Sequence, residues 1–362
     1  MVTANATHSN VNVDFMDLDN YYQVGRLKLL PVGKLRHMKV GVAGLTHGHV
    51  WGLIESFRKV EGVNLVAVAD NTPLIDRVSS IDEKYSNWEE MLESESLDAL
   101  LVTSNNVESS QIAVRALNQG IPCLVEKAMA ASAADADLML QAMRSTGKTL
   151  MINWPIAWSP WLHEVKRLLD ESAIGPVFNF QYRNGHFGPK EIGCDEWFVA
   201  WLHDEKLNGG GAIADFCSYG AVLSRWLFGM PDSVYSIRQN YTKDYSVPDD
   251  YASITLRYPQ MQAHLEGTWA HKGDDHAANP RIYGRDGTVS VQGSFVYQST
   301  VGREEGRTAP ALEQSSPAKY FLDCVREGRT PEGILNPEIA ADACRILDAA
   351  KISNDTGRAE RP

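Results

Sequence analysis

Long apolar runs are missing: no stretch of this chain approaches the ~20 consecutive apolar residues that a bilayer-spanning helix needs. Runs of lysine and arginine are missing too, and 34 basic against 46 acidic residues leave a net charge of −12. An acidic surface disfavours polyanions, so neither nucleic acid nor an anionic membrane is an expected partner. Cysteine is scarce: Cys123, Cys194, Cys217, Cys324 and Cys344 are odd in number and form no CxxC pair. That excludes a zinc knuckle of usual spacing and argues for thiols in a reducing compartment rather than a disulfide frame. The opening residues Met1 to Asn20 lack the basic start and apolar core of a secretory leader. The expectation is a cytoplasmic protein.

What is present is the composition of a globular chain, 44% hydrophobic and 22% charged over 362 residues, enough for about two domains. Residues 1–36 are polar and aperiodic and read as an arm. From Lys39 onward short β-rich runs alternate with segments of helical spacing: Lys39–Ala43, Val50–Val60, Val63–Ala69, Asp98–Thr103, Val107–Asn118, Pro122–Glu126, Ala133–Arg144 and Thr149–Asn153. Such alternation predicts a parallel sheet with helices on both faces, an α/β domain over residues 37–153. Ser132 followed by Asp135 suits the start of its last helix. After Asn153 the pattern changes. Helical spacing at Trp161–Leu169, a strand at Val177–Tyr182 and a helix opened by Gly209-Gly210-Gly211 precede strands in series: Val234–Tyr241, Tyr251–Tyr258, Met261–Trp269, Arg281–Tyr283 and Thr288–Val291. Strands without helices between them predict an open, largely antiparallel sheet. Helices at Ala318–Glu327 and Glu338–Ile352 close a second α/β domain over residues 154–362.

The first strand-to-helix turn, Val40-Gly-Val-Ala-Gly-Leu-Thr-His-Gly-His-Val50, is rich in glycine. A dinucleotide fingerprint needs glycine where the strand turns sharply and where backbone N–H groups approach a pyrophosphate. Gly44 supplies the turn and Gly48 the approach, while Thr46 and His49 stand where further glycines are usual. Asp70 ends the second strand, where a carboxylate accepts ribose hydroxyls and repels a 2′-phosphate. The cofactor expectation is therefore NAD rather than NADP. A helix cap or turn residue is the plain alternative for Asp70, since Asn71-Thr72-Pro73 follows. His47 and His49 invite a metal, yet no third ligand of usual spacing stands near them in sequence. No metal is expected, and the two histidines are read as cofactor-pocket or capping residues.

Glu126-Lys127 closes a buried strand at the sheet edge where α/β proteins place ligands. A partly desolvated lysine beside a cationic nicotinamide would have a lowered pKa and could transfer a proton. Asp215 and Tyr219, one helical turn apart after the triple glycine, share a face and could orient one another or relay to Lys127. Trp154, Trp158, Trp161, Trp197 and Trp201 crowd one region, where indoles stack on sugars or fill a core. His163, His186 and His203 lie among them, and His203 leads into the triple-glycine segment.

Taken in order, these landmarks resemble the glucose–fructose oxidoreductase / inositol dehydrogenase / MocA family over residues 38–355. They are the Gly44 turn with Asp70, Thr103-Ser-Asn105, Glu126-Lys127 where the family has Glu-Lys-Pro, Gly209 to Asp215, and the closing Asp348–Gly357 stretch. The resemblance implies a Rossmann domain, a second domain whose open sheet makes a homodimer or homotetramer, and reversible NAD(P)-dependent oxidation of a secondary alcohol on a sugar, polyol or cyclitol. It also implies a catalytic Lys–Asp–His group, of which Lys127 and Asp215 match. The family His falls on Tyr219, the Asp three positions on falls on Val222, the Pro on Ala128, and a His after Thr103-Ser-Asn105 on Glu108. A Tyr–Lys pair then replaces His, provided that the phenol pKa is lowered. The expected site is thus Lys127, Asp215 and Tyr219 for catalysis. Gly44, Thr46, His47, Gly48, His49, Asp70, Thr103, Asn105, Glu126 and Lys127 are expected at the cofactor. Trp154, Trp158 and His203 join Lys127, Asp215 and Tyr219 at the substrate. Two alternatives stand beside a dehydrogenase: an NAD-retaining lyase or glycosidase working through transient oxidation, and a non-catalytic NAD-binding sensor.

Overall fold

Six parallel strands lie in the order β3-β2-β1-β4-β5-β6, the doubly wound order with its switch point between β1 and β4. The computed structural model describes residues 37–273, 277–312 and 316–362; the expected arm, residues 1–36, lies outside them. The strands are β1 (Met38–Ala43), β2 (Val63–Ala69), β3 (Glu83–Tyr85), β4 (Ala99–Val102), β5 (Cys123–Glu126) and β6 (Leu150–Asn153). The apolar runs of β4, β5 and β6 are buried at every position. Burial on both faces is what parallel strands between helices require. Helix Ala133–Thr146 starts where Ser132 predicts, its hydroxyl accepting from the Asp135 N–H, and stops at Gly147. β3 and the helix Trp88–Ser94 escape the periodicity reading. β3 is a short, charged edge strand (Glu-Lys-Tyr), the composition that blunts a sheet edge.

The second sheet has eight strands in the order β14-β13-β12-β11-β7-β10-β9-β8. These are β7 (Val177–Gly185), β8 (Ser233–Gln239), β9 (Tyr251–Arg257), β10 (Gln262–Thr268), β11 (Arg281–Gly284), β12 (Thr288–Gln292), β13 (Phe295–Thr300) and β14 (Arg303–Thr308). β7 and β10 run parallel and the other neighbours antiparallel, so the open and largely antiparallel sheet forms as expected. The hairpin of β13 and β14 adds two strands to that expectation. Arg-Glu-Glu-Gly-Arg-Thr carries no apolar alternation, and its charges again mark an edge.

The triple glycine does not open one continuous helix. A π-helical turn, Ile213–Cys217, precedes the α-helix Ser218–Phe228, and such turns recur at functional sites. Two of the connections between the sheets and their helices bear on the site or span both sheets. Lys127, just past β5, meets Asp215 in the π turn. Helix Pro337–Thr356, longer at both ends than the expected Glu338–Ile352, lends its Asp348 carboxylate to the Ala133 N–H at 2.7 Å, capping a helix of the parallel sheet. The same helix gives Ser353 and Asn354 oxygens to backbone N–H groups of β8.

Candidate functional site

Two elements deliver the charged centre. β5 carries Lys127 past the carboxyl edge of the parallel sheet, and the π turn brings Asp215 to it. Lys127 Nζ lies 2.6 Å from Asp215 Oδ1 and 4.9 Å from the centroid of the Tyr219 ring. Trp269, just past β10, donates its indole N–H to Asp215 Oδ2 at 3.0 Å. All three sequence-predicted catalytic side chains therefore meet, and all three are buried.

Their electrostatics differ from the expectation at two points. Burial by itself would depress the Lys127 pKa, but the Asp215 carboxylate outweighs it and holds the ammonium above its ordinary value. Lys127 is thus a cation stabilised by its partner, not a lysine of lowered pKa. Asp215 is displaced downward: burial opposes its charge, and the Lys127 ammonium and Trp269 N–H overcome that opposition. The Tyr219 phenol is pushed up to about 12, by burial foremost, with Lys127 pulling the other way. That is opposite to the lowering which a Tyr–Lys base requires; within these surroundings Tyr219 stays a neutral phenol.

The segment holding Asp215 is itself anchored by a residue that sequence reasoning missed. Asp249, fully buried, accepts the N–H groups of Gly211 at 3.0 Å and Ile213 at 2.8 Å, with Arg238 Nη1 at 3.3 Å. Burial raises its pKa, against the pull of these donors. A Cβ on Gly211 would stand 2.1 Å from the Asp249 carbonyl oxygen, so only glycine permits this approach. The available signal was Asp249-Asp250 entering a strand, an acidic pair where a buried β-run begins.

A cavity of ≈ 610 Å³ opens at the switch point of the parallel sheet. Gly44, Thr46, Asp70 and Asn105 line it, with Ser104, Glu108 and Asp204. The positive φ of Gly44 (+83°) and a virtual Cβ only 2.7 Å from the Ser104 nitrogen make glycine obligatory at this turn. The Thr46 hydroxyl is buried with no protein partner, an orphan donor at the turn where a dinucleotide phosphate sits. Asp70 accepts from Leu45 N–H at 2.6 Å and Thr72 N–H at 2.7 Å, realising the turn-residue alternative while its carboxylate still reaches the cavity wall. These residues fit a dinucleotide. No lysine or arginine lines the cavity among the described residues.

The other cofactor candidates are placed differently. Thr103 is fully buried and donates to the Gly44 carbonyl at 2.6 Å, shaping the turn rather than facing the cavity. His47 is buried under Phe198 and Trp201; its Nε2–H donates to the Lys127 carbonyl at 3.2 Å and its Nδ1 accepts the His49 N–H at 3.1 Å. Gly48 faces the Phe198 ring. Glu126 is buried, bonded to His49 Nδ1 at 2.8 Å and Asn153 Nδ2 at 2.6 Å; it orients neighbours and does not line the cavity. The fold does supply the third metal-ligating type that sequence spacing lacked, since ligand atoms of His47, His49 and Glu126 lie within 4.8 Å of one another. Both His47 nitrogens are already engaged, so the cluster reads as a hydrogen-bond network. Among the substrate candidates, Trp154 is core, 1% exposed and edge-on to Tyr219, so it offers no stacking face. Trp158 is tied to Asn153 and packs on Tyr320. His203 lies against Trp269 and Tyr245 with Nε2 unpartnered.

Known proteins share this fold. Residues 38–154 match the model of the oxidoreductase family with an NAD-binding Rossmann fold, and residues 162–290 that of the GFO/IDH/MocA C-terminal domain. The chain belongs to the Gfo/Idh/MocA oxidoreductase family. Within it, D-xylose 1-dehydrogenase (NADP(+)) 2 of Haloferax volcanii is 25% identical over 77% of this chain and 85% of its own length. A scyllo-inositol 2-dehydrogenase (NADP(+)) of Bacillus subtilis is 26% identical over 66% of this chain and 71% of its own. An oxidoreductase from Agrobacterium radiobacter, solved with NAD+, L-tartaric acid and magnesium, shares the fold with a TM-score of 0.74 at 18% identity, covering 90% of this chain and 98% of that one.

Two outcomes are expected at this site. Asp249→Ala strands two buried N–H groups and leaves Arg238 paired with Glu205 alone, and should cost about 2–5 kcal/mol in denaturant unfolding. In Asp215→Asn burial acts on Lys127 without its main opponent, so the lysine loses its proton at lower pH than in the wild type. The limb of the pH–rate profile set by Lys127 should move to lower pH; an unmoved limb would exclude control of Lys127 by Asp215.

Proposed function

We propose that this chain is an NAD(P)-dependent dehydrogenase that reversibly oxidises a secondary alcohol of a sugar, polyol or cyclitol. The observation that carries the reading is the buried Lys127–Asp215 pair at 2.6 Å, with Lys127 just past β5 of the parallel sheet whose switch point carries the cavity, in a member of this family. The relatives' names, xylose and scyllo-inositol dehydrogenases, supply the substrate class.

A bound nicotinamide supplies the hydride donor or acceptor. The chain's residues manage the proton. In the reducing direction the Lys127 ammonium donates a proton to the carbonyl oxygen as it gains negative charge, leaving an amine beside Asp215. In the oxidising direction that amine takes the hydroxyl proton. Asp215, held by Trp269, keeps Lys127 oriented and sets its proton affinity, and Tyr219 offers its phenol as a hydrogen-bond donor. General acid–base help of this kind is worth ~10²–10⁴-fold. In this reading residues 37–153 form the cofactor domain and residues 154–362 the substrate domain.

NAD is the proposed cofactor over NADP. Three carboxylates, Asp70, Glu108 and Asp204, line the cavity with no cation among the described lining residues, so a 2′-phosphate meets repulsion without compensation. The open face of the eight-stranded sheet exposes Tyr235 and Ile237 on β8, which supports a homo-oligomer formed through it. The five cysteines are free thiols, which fits a reducing, cytoplasmic setting. No helix of the described residues is long and apolar enough to cross a membrane.

The test is a panel of aldoses, polyols and cyclitols with NAD+ and NADP+, following reduced nicotinamide. Turnover with NAD+ preferred is expected, and Lys127→Ala should lower kcat by ~10²–10⁴-fold. Cofactor binding without turnover of any alcohol would sink the dehydrogenase reading, and a preference for NADP+ would overturn the cofactor assignment.

A further inference from the structure

β7 ends at Gly185, which pairs in register with Thr268 at the end of β10. The parallel ladder thus sets His186 beside Trp269, the residue whose indole holds Asp215. The His186 N–H continues the ladder onto the Thr268 carbonyl at 3.1 Å, which fixes the backbone. Its ring stands edge-on to Phe216, the neighbour of Asp215 in the π turn, with centroids 4.9 Å apart. The ring cannot turn freely either, because the Gly188 N–H donates to His186 Nδ1 at 2.9 Å. A backbone N–H can only donate, so Nδ1 must carry a lone pair. In the neutral ring the proton then resides on Nε2.

Among the described residues, the charged groups that act on this ring are Asp215, Lys127, Lys243 and Glu191. Lys243 and Glu191 bond each other at 2.7 Å, which mutes the influence of both. Burial leads in depressing the His186 pKa, and the Asp215 carboxylate pulls the other way. Taking up a proton at Nδ1 would also break the bond from Gly188. The ring is therefore a neutral donor by construction and not a base.

We propose that His186 is a substrate-binding residue that presents a fixed Nε2–H to an oxygen of the alcohol or carbonyl substrate, beside the Lys127–Asp215 pair. The proposal rests on the dehydrogenase reading and deepens it. The histidine of the family's helix position is Tyr219 here, and an imidazole returns from a different element as a hydrogen-bond donor, while proton transfer stays with Lys127.

Substitution at His186, assayed with an alcohol that the wild type oxidises, tests this. A glutamine amide places N–H near the Nε2 position but has no proton affinity in the working pH range. His186→Ala is expected to lower kcat/KM by about 10- to 100-fold, and His186→Gln to recover most of that loss with the wild-type pH profile. Equal loss in both variants, or a pH-profile limb that disappears in His186→Gln, would overturn the donor role in favour of a base. A second readout needs no turnover. Nitrogen-15 NMR of the histidines should show His186 as the Nε2–H tautomer across about pH 6 to 8; an Nδ1–H tautomer would refute the proposal. If the wild type oxidises no alcohol, the dehydrogenase reading fails, while the tautomer measurement still decides the geometry.

Discussion

One ion pair organises this molecule. Lys127 and Asp215 are separated by 88 residues, one just past a strand of the parallel sheet and the other in a π turn, and both are almost free of solvent. Each alone would be a buried charge, which is among the costliest features a fold can contain. Together, with Trp269 on the second carboxylate oxygen, they are tolerated, and their mutual need locks β5 against the π turn. The same pairing keeps the lysine cationic despite burial, so the fold holds a proton at the junction of β5 and the π turn.

Around this pair the backbone is set by groups that have no part in proton transfer. Asp249 receives the amides at the triple glycine, while Thr103 donates its hydroxyl to the Gly44 carbonyl and accepts the His47 N–H at its own carbonyl. Glu126, next to Lys127 in sequence, spends its carboxylate on His49 and Asn153. The site is therefore a small number of reactive groups held by a larger polar scaffold, much of it buried and nearly all of it satisfied.

The parallel sheet was legible because its strands are covered on both faces: Ala99-Leu-Leu-Val102 and Cys123-Leu-Val-Glu126 can hardly be anything else. The charged edge strands β3 and β14 were not, since one solvent-facing edge relaxes the demand for apolar residues. Gly44, Lys127 and Asp215 stood out through local chemistry, a tight turn or a charge within an apolar run. The direction of the Lys127 shift was illegible, for it depends on a carboxylate far along the chain, and burial without that partner gives the opposite sign. Thr103 and Trp154 look like site residues in sequence because they adjoin the site. Only the side on which each strand faces separates touching a cavity from supporting it.

The helix Pro337–Thr356 reaches a helix of one sheet through Asp348 and the backbone of β8 in the other through Ser353 and Asn354. Neither half can loosen while that strut stays in register. Hinge opening of the kind many two-lobed enzymes use would first have to break these bonds. The architecture favours a preset pocket over one assembled by lobe closure.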